Sequence, residues 1–97
     1  MSKTKHDQIA EKLARKFHTE YKQHKGIDIV TPDRVIEVET KSASIQQGIR
    51  QIVHSPKARY LAVNKQNIKN ALAETEGTGI GIMGPSARII KRASRKA

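Results

Sequence analysis

Acidic side chains with a spacing suited to metal chemistry lie in two short alternating segments that a turn connects. Asp28 lies in the first segment, and Glu37 and Glu39 lie in the second. A two-residue turn at positions 32 and 33 places Asp28 directly opposite Glu37, at about 5 Å between Cβ atoms. Like charges that face each other in a sheet are unfavourable, whereas a divalent cation that bridges both carboxylates accounts for them. The spacing therefore predicts a metal site on this hairpin.

This pairing depends on the length of the turn. The segment Thr31-Pro32-Asp33-Arg34 is typical of a tight turn, so we expect the two-residue form. A four-residue turn would instead pair Asp28 with Glu39, which still brings two acids together. A three-residue turn would place Asp28 and Glu37 on opposite faces of the hairpin and remove the argument for a shared site.

Strand alternation divides the hairpin into an apolar face and an acidic face. In the first predicted helix, Glu20 falls about 20° from Leu13, so we expect it to face the sheet and to converge with the acidic face, whereas Glu11 faces solvent. A solvated Glu-x-Glu-x-Lys strand, with Lys41 neutralising its neighbours, is the alternative interpretation. The apolar face carries Ile27, Ile29, Ile36 and Val38, and the acidic face carries Asp28, Val30, Val35, Glu37, Glu39 and Lys41.

The charge balance predicts a polyanionic partner. Lys and Arg number 19 and Asp and Glu number 9, which gives a formal net charge of +10 in 97 residues. This surplus favours DNA, which the protein would contact mostly at phosphates and with little sequence preference. The apolar runs are too short to span a bilayer, so we expect no membrane partner. Cysteine is absent, which excludes disulfides and thiol catalysis and fits the cytoplasm.

The elements that must position these residues follow from hydrophobic periodicity. Their order, α-β-β-α-β-α-β-β, predicts one α/β domain over residues 1–97 with a mixed central sheet, flanking helices and basic tails at about 1–5 and 92–97. The expected segments are a helix from about His6 to His24, strands at Ile27–Val30 and Val35–Thr40, a helix at about Ser44–His54, a strand at Arg59–Val63, a helix from Asn67 to Gly77, and strands at Ile80–Met83 and Ala87–Lys91.

This succession of motifs resembles the PD-(D/E)xK nuclease superfamily, the fold of Holliday junction resolvases, RecB-type nucleases and many restriction enzymes. The resemblance covers Ile9 to about Arg92. It implies a restriction-endonuclease-like fold and a metal-dependent endonuclease that acts on branched or structured DNA, as a homodimer. The motifs that carry it are Gly26-Ile27-Asp28-Ile29-Val30, Arg34-Val35-Ile36-Glu37-Val38-Glu39-Thr40, Gly48-Ile49-Arg50-Gln51-Ile52-Val53-His54, Ala58-Arg59-Tyr60-Leu61-Ala62-Val63 and Gly79-Ile80-Gly81-Ile82-Met83.

The resemblance also implies roles for individual residues. Asp28 and Glu37 would hold Mg²⁺ or Mn²⁺ together with the backbone carbonyl of Val38. His54 replaces the tyrosine of the family's glutamine motif. The other implied roles are a base or charge stabiliser at Glu39 or Lys41, a ligand for a metal-shell water or a second ion at Glu20, and a residue that orients Glu37 or contacts the DNA backbone at Gln51.

The chain departs from the family pattern at one position. Glu39 stands where the family usually has lysine, although some restriction enzymes also have glutamate there. An alternative alignment takes Glu39-Thr40-Lys41 as the motif and Asp33 as its first acid. We prefer Glu37 as the ligand, because the short hairpin opposes it to Asp28 and because Asp33 lies at a turn position that favours aspartate for local hydrogen bonds.

Two alternative functions remain open. The first is a DNA-binding module on the same fold that does not cleave, and the second is a basic RNA-binding protein whose acids are merely on the surface. The four histidines have no zinc spacing and are expected to face solvent, with His24 nearest to the buried stripe of the first helix. The cations expected to contact phosphate are Lys22, Lys25, Arg34, Arg50, Lys57, Arg59 and those of the tails.

Overall fold

A computed structural model of the chain describes residues 4–21 and 26–94. Its elements in chain order are α1 (Lys5–Lys16), β1 (Ile29–Val30), β2 (Arg34–Glu39), α2 (Ile45–Ile52), β3 (Ala58–Val63), α3 (Ile68–Glu74), β4 (Gly81–Met83) and β5 (Ile89–Lys91). The strands form one sheet in the order β1-β2-β3-β4-β5. The two outer pairs are antiparallel, and β2, β3 and β4 are parallel. The predicted α/β domain with a mixed sheet is therefore confirmed.

The start of α1 is fixed by a side-chain cap. Thr4 is the N-cap residue, and its Oγ1 accepts a hydrogen bond from the backbone N–H of Asp7 at 3.1 Å. Such a cap satisfies one of the N–H groups that a helix end leaves without a partner. Lys5 is consequently the first helical residue, so Thr4 and Lys5, at the end of the expected N-terminal tail at about 1–5, belong to the start of α1.

The end of α1 comes earlier than the apolar periodicity predicts. His18 adopts a left-handed conformation with φ of 56°. The N–H of Thr19 then bonds to the carbonyl of Ala14 at 2.9 Å, which closes a Schellman-type cap. Glycine usually occupies this left-handed position, so a histidine there does not predict the end of a helix. The helix expected to reach His24 therefore ends at Lys16, and His24 itself lies outside the described residues.

The described part of the expected C-terminal tail is attached to the sheet. Ala93 donates its backbone N–H to the hydroxyl of Tyr60 at 3.2 Å, and Ser94 donates to the carbonyl of Gly79 at 2.9 Å. Gly79 has a φ of 79°, and a Cβ there would lie 2.5 Å from the Ser94 carbonyl oxygen. Residues 92–94 thus follow β5 as part of the fold, whereas 95–97 lie outside the described residues.

Each face of the sheet carries its own apolar core. Ile27 was expected beside Ile29, but it precedes β1 and packs with the opposite cluster. The core under α1 contains Ile9, Ala10, Leu13, Ala14, Ile29, Ile36, Val38, Tyr60, Ala62 and Met83. The core under α2 and α3 contains Val35, Ile45, Ile49, Ile52, Leu61, Val63, Ala71, Ile80 and Ile82.

Several elements are shorter than their predicted segments. The predicted strand Ile27–Val30 contributes only β1, and the predicted helix Asn67 to Gly77 contributes α3, which ends at Glu74. The last strand starts at Ile89 because Ala87, with a φ of 72°, still belongs to the turn that follows β4. Turn geometry, which hydrophobic periodicity does not report, sets these boundaries.

Candidate metal centre

The hairpin of β1 and β2 brings Asp28 and Glu37 together. Ile29 pairs with Ile36, which is the register of a two-residue turn, and the same register places Asp28 opposite Glu37. The N–H of Asp28 donates to Glu37 Oε1 at 3.0 Å, and the N–H of Val38 donates to Asp28 Oδ2 at 3.0 Å. Each carboxylate therefore binds the backbone of the facing segment. Asp28 and Glu37 are only 6% and 7% exposed.

Glu39, the last residue of β2, is a third buried acid and packs against α2. It is 9% exposed. A Cβ atom at Gly48 would lie 2.7 Å from Glu39 Oε2 and 2.8 Å from its Cγ. The glutamate side chain thus occupies space that any side chain at position 48 would need. Val35, Glu37 and Glu39 alternate along one face of β2, so the acids lie at the carboxyl end of this strand on the side that α2 covers.

Burial and mutual repulsion raise the pKa values of two of these acids. Burial, followed by the negative charge of Asp28, raises the pKa of Glu37 to about 8, against a backbone hydrogen bond that lowers it. Burial also raises the pKa of Glu39, whereas a hydrogen bond with Ser44 and the charge of His6 act in the opposite direction. Buried carboxyl groups beside like charges favour a proton or a neighbouring cation. Added positive charge would therefore stabilise this cluster.

His6, in the first turn of α1, contacts the acidic cluster. Its Nε2 lies 3.2 Å from Asp28 Oδ2, and its side chain is 30% exposed. The hydrogen bond to Asp28 raises the pKa of His6 to about 9, against burial that lowers it, so the imidazole carries a charge at neutral pH. The expectation that His6 faces solvent was wrong. Its position three and four residues before Ile9 and Ala10 places it on the buried stripe of the helix, which was the signal available in the sequence.

Tyr21 and Asp7 surround the other nitrogen of the His6 ring. The Tyr21 hydroxyl donates to Asp7 Oδ1 at 2.8 Å, and its oxygen lies 3.1 Å from His6 Nδ1. The same Asp7 oxygen lies 3.4 Å from His6 Nδ1. The hydrogen bond from Tyr21 is the main cause that lowers the pKa of Asp7. Burial, with the nearby acids, raises the pKa of Tyr21, so its hydroxyl stays protonated.

The loop that follows β2 is held by one asparagine. Asn67 Nδ2 donates to the carbonyl of Thr40 at 2.9 Å, and Ser42 Oγ donates to Asn67 Oδ1 at 2.9 Å. Asn67 is buried just before α3, so it fixes this loop to the connection between β3 and α3. Lys41 lies in the loop and is exposed, two residues beyond Glu39. Lys41 therefore lies between two anchored residues, Thr40 and Ser42.

Two of the predicted site residues are exposed instead of being buried with the acids. Glu20 was expected on the sheet-facing side of the first helix, but α1 ends at Lys16 and Glu20 is exposed. Its expected position is therefore corrected. Gln51 is exposed on α2, whose buried residues are Ile45, Gly48, Ile49 and Ile52.

Arg59, one of the predicted phosphate contacts, is buried and binds the backbone of the fold. It is 5% exposed, and its guanidinium donates to the carbonyls of Val53 at 2.6 Å and Thr78 at 2.9 Å. A third carbonyl, that of Ser94, lies at 3.5 Å. A guanidinium that binds carbonyls inside the fold is not placed to bind phosphate, so Arg59 is withdrawn from the predicted contacts.

The other predicted contacts differ in exposure. Arg50 is exposed on α2. The guanidinium carbon of Arg34 lies 5.2 Å from the ring centre of Phe17 and 5.3 Å from that of Tyr60, a cation–π arrangement on both sides. Lys57 is half-buried and donates to the carbonyl of Thr31 at 2.8 Å. Lys22 and Lys25 lie outside the described residues.

The acidic cluster has side chains of the type that bind a hard divalent ion, but they are not arranged in a coordination geometry. Among residues 4–21 and 26–94, no three His, Asp or Glu side chains are arranged ready to hold a metal ion. In the arrangement described, Asp28 Oδ2 and Glu37 Oε1 accept backbone N–H groups. Carboxylate and carbonyl oxygens are nevertheless the ligands that Mg²⁺ and Mn²⁺ prefer. Binding would require the carboxylates to exchange part of this backbone hydrogen bonding for the ion.

Comparison of the chain with protein-family models, with curated proteins and with solved structures returned no match. The resemblance to the PD-(D/E)xK superfamily therefore stays a prediction. Within the described ranges, no helix is both long enough and apolar enough to cross a bilayer.

Proposed function

We propose that this protein is a metal-dependent endonuclease that cleaves phosphodiester bonds in DNA. The observation that carries the proposal is the burial of Asp28, Glu37 and Glu39 together in a chain whose net charge is +10. Burying like charges costs stability unless they are paired, and a divalent cation would pair the charges of Asp28 and Glu37. The resemblance to the PD-(D/E)xK superfamily, with its restriction-endonuclease-like fold, supports the same conclusion because its ligand positions fall on Asp28 and Glu37.

Each buried acid has a role in this proposal. Asp28 and Glu37 would hold Mg²⁺ or Mn²⁺ with the carbonyl of Val38. When bound, such an ion supplies a Lewis acid at the phosphate and lowers the pKa of a coordinated water. Glu39, whose pKa burial raises, would accept the proton of an attacking water. Lys41, exposed two residues beyond Glu39, would neutralise charge on the scissile phosphate.

DNA is the partner that the surface charge favours. Phosphate contacts explain how a domain with this surplus of lysine and arginine binds without sequence preference, and they predict binding that weakens steeply with salt. The proposed substrate is branched or otherwise structured DNA, the protein acts as a homodimer, and the absence of cysteine suits the cytoplasm. Size-exclusion chromatography with light scattering tests the dimer directly.

A cleavage assay with isosteric variants tests the activity. The wild-type protein is incubated with four-way junction, flap, single-stranded and linear duplex DNA in Mg²⁺, Mn²⁺ or EDTA. We expect cleavage in metal and none in EDTA. Asp28→Asn and Glu37→Gln keep the side-chain shapes but remove ligand charge, so each should lower the rate at least about 100-fold. Glu76→Gln, at an exposed position after α3, is the matched control and should leave the rate unchanged.

The results separate the proposal from its competitors. Metal-independent cleavage, or equal rates for the Asp28→Asn and Glu76→Gln proteins, would overturn the assignment of the acidic cluster. Tight DNA binding without cleavage in either metal would identify a non-catalytic DNA-binding module. Preference for RNA, with Asp28→Asn harmless to binding, would identify a basic RNA-binding protein.

One observation favours the non-catalytic module as a second candidate. The charged His6 already contacts Asp28 Oδ2, and backbone N–H groups already bind Asp28 and Glu37. These contacts partly compensate the buried charge without a metal ion. Isothermal titration with Mn²⁺ distinguishes the two candidates, because the nuclease proposal requires binding that Glu37→Gln weakens.

A further inference from the structure

A continuous chain of hydrogen bonds leads from Tyr21 to the acidic cluster. The Tyr21 hydroxyl donates to Asp7 Oδ1 at 2.8 Å, and its oxygen accepts from His6 Nδ1 at 3.1 Å. His6 Nε2 donates to Asp28 Oδ2 at 3.2 Å. Donors and acceptors alternate consistently when both ring nitrogens of His6 carry hydrogen. The orientation of the ring is therefore fixed from both sides.

We propose that Tyr21 is a positioning residue of the metal site, which holds the His6 ring so that Nε2 fixes the carboxylate of Asp28. The inference rests on the proposed function, because it assigns Tyr21 to the same site. Tyr21 follows α1 by five residues, whereas Asp28 directly precedes β1, so the chain of contacts links two segments that no strand pairing joins.

The hydroxyl group of Tyr21 is not required for packing. The Tyr21 ring lies half-buried against the core under α1, where phenylalanine would fill the same apolar space. The His6 and Tyr21 rings lie 5.9 Å apart and tilted by 47°, so the ring contact is loose and the hydrogen bonds define the geometry. Outer residues that orient a group at a metal site typically change affinity about 10- to 100-fold when they are replaced.

Tyr21→Phe and Tyr60→Phe form a matched pair of variants for the test. Both remove one hydroxyl from a ring packed in the core under α1, but the Tyr60 hydroxyl accepts from Ala93 instead of meeting His6. Mn²⁺ alone is titrated calorimetrically into each protein. We expect Tyr21→Phe to weaken Mn²⁺ binding about 10-fold and Tyr60→Phe to leave it unchanged. In a His6→Ala background, Tyr21→Phe should cause no further loss, because the residue through which it acts is gone.

A metal-free measurement separates this inference from the proposed function. Side-chain NMR signals of the His6 ring are recorded in the wild-type, Tyr21→Phe and Tyr60→Phe proteins without metal. We expect them to shift and broaden only in Tyr21→Phe. Wild-type protein that binds no Mn²⁺ would refute the proposed function and, with it, the role of Tyr21 at a metal site, whereas the His6 signals would still report whether Tyr21 holds the His6 ring. Unchanged His6 signals, or an unchanged Mn²⁺ affinity when the wild type binds, would overturn the inference. If Tyr21→Phe fails to fold, Asp7→Ala removes the acceptor of the Tyr21 hydroxyl instead.

Discussion

The two faces of β2 bury different kinds of side chain. On the face under α1, Ile36 and Val38 are completely buried in an apolar cluster. On the face under α2, Val35 is followed by Glu37 and Glu39, which are almost as deeply buried. One face of this strand therefore buries apolar side chains, whereas the other buries two carboxyl groups. The residues of the apolar face are those that stabilise the fold. Apolar residues in place of the two glutamates would make the fold more stable.

The difference lies in how each face satisfies its side chains. Apolar side chains need only close neighbours, which the residues of α1 provide. The carboxylates need specific partners, and these come from the backbone of the hairpin, from His6 and from the space that Gly48 leaves. A face that depends on particular partners is more sensitive to pH and to single substitutions than a face that depends on volume. Three experiments compare the two.

The largest effect is expected from shortening a side chain on the apolar face. Ile36→Ala should lower the free energy of unfolding by about 2–5 kcal/mol, because it leaves a cavity in a core that cannot fully collapse. Glu37→Gln, at the next residue, should leave the stability at pH 7 unchanged or raised, because glutamine is neutral without the proton that Glu37 must take up on folding. Urea denaturation measures both. Equal losses of unfolding free energy in the two variants would contradict this difference between the two faces of β2.

A smaller effect is expected from pH. Glu37 has a pKa of about 8 in the fold against an ordinary value of 4.5, so the folded state holds a proton that the unfolded chain releases. Stability therefore falls as pH rises from about 4.5 to about 8. His6, with a pKa of about 9 against 6.5, extends the loss from pH 6.5 to about 9. We expect a total fall on the order of 1–3 kcal/mol.

Glu37→Gln isolates the first part of this pH dependence. Its stability should fall less steeply than that of the wild type between pH 5 and 6.5, where the raised pKa of Glu39 still contributes, and should decline further above that range, where His6 titrates. Denaturation at half-unit pH intervals provides the comparison. A wild-type stability that rises over pH 5–8 would contradict the pKa shift of Glu37.

The smallest effect is expected at Gly48, and its sign should depend on Glu39. Gly48→Ala should destabilise the wild type by about 1 kcal/mol, because the clash with the glutamate outweighs the gain in helix propensity. In a Glu39→Ala background the clash disappears, so Gly48→Ala should then stabilise by up to about 1 kcal/mol. Thermal and urea denaturation of the wild type, the two single variants and the double variant measures the coupling energy between positions 39 and 48. Additive effects would mean that the glutamate does not occupy this space.

The sequence predicts the hairpin of the candidate site better than its surroundings. The turn at Thr31-Pro32-Asp33-Arg34 and the alternation of β2 specify the register that opposes Asp28 to Glu37, because both signals are local. The predicted position of Glu20 failed for an equally local reason. His18 takes the left-handed conformation that glycine usually adopts at a helix end, so no glycine in the sequence predicts where α1 ends.

Contacts between distant segments were the least predictable part of the candidate site. The approach of α2 to β2 at Gly48 depends on how the helix lies across the sheet, which periodicity does not specify. His6 was predictable in part, because it lies on the buried stripe of α1. Its contact with Asp28, however, depends on the placement of α1 beside an edge strand.

Arg59 links three connections that lie far apart along the chain. Its guanidinium reaches the carbonyls of Val53, Thr78 and Ser94, which follow α2, follow α3 and follow β5, respectively. A single planar fork with several donors makes all three attachments at once. These connections should therefore open together rather than one by one, and the amide hydrogens around them should exchange with solvent as one cooperative unit.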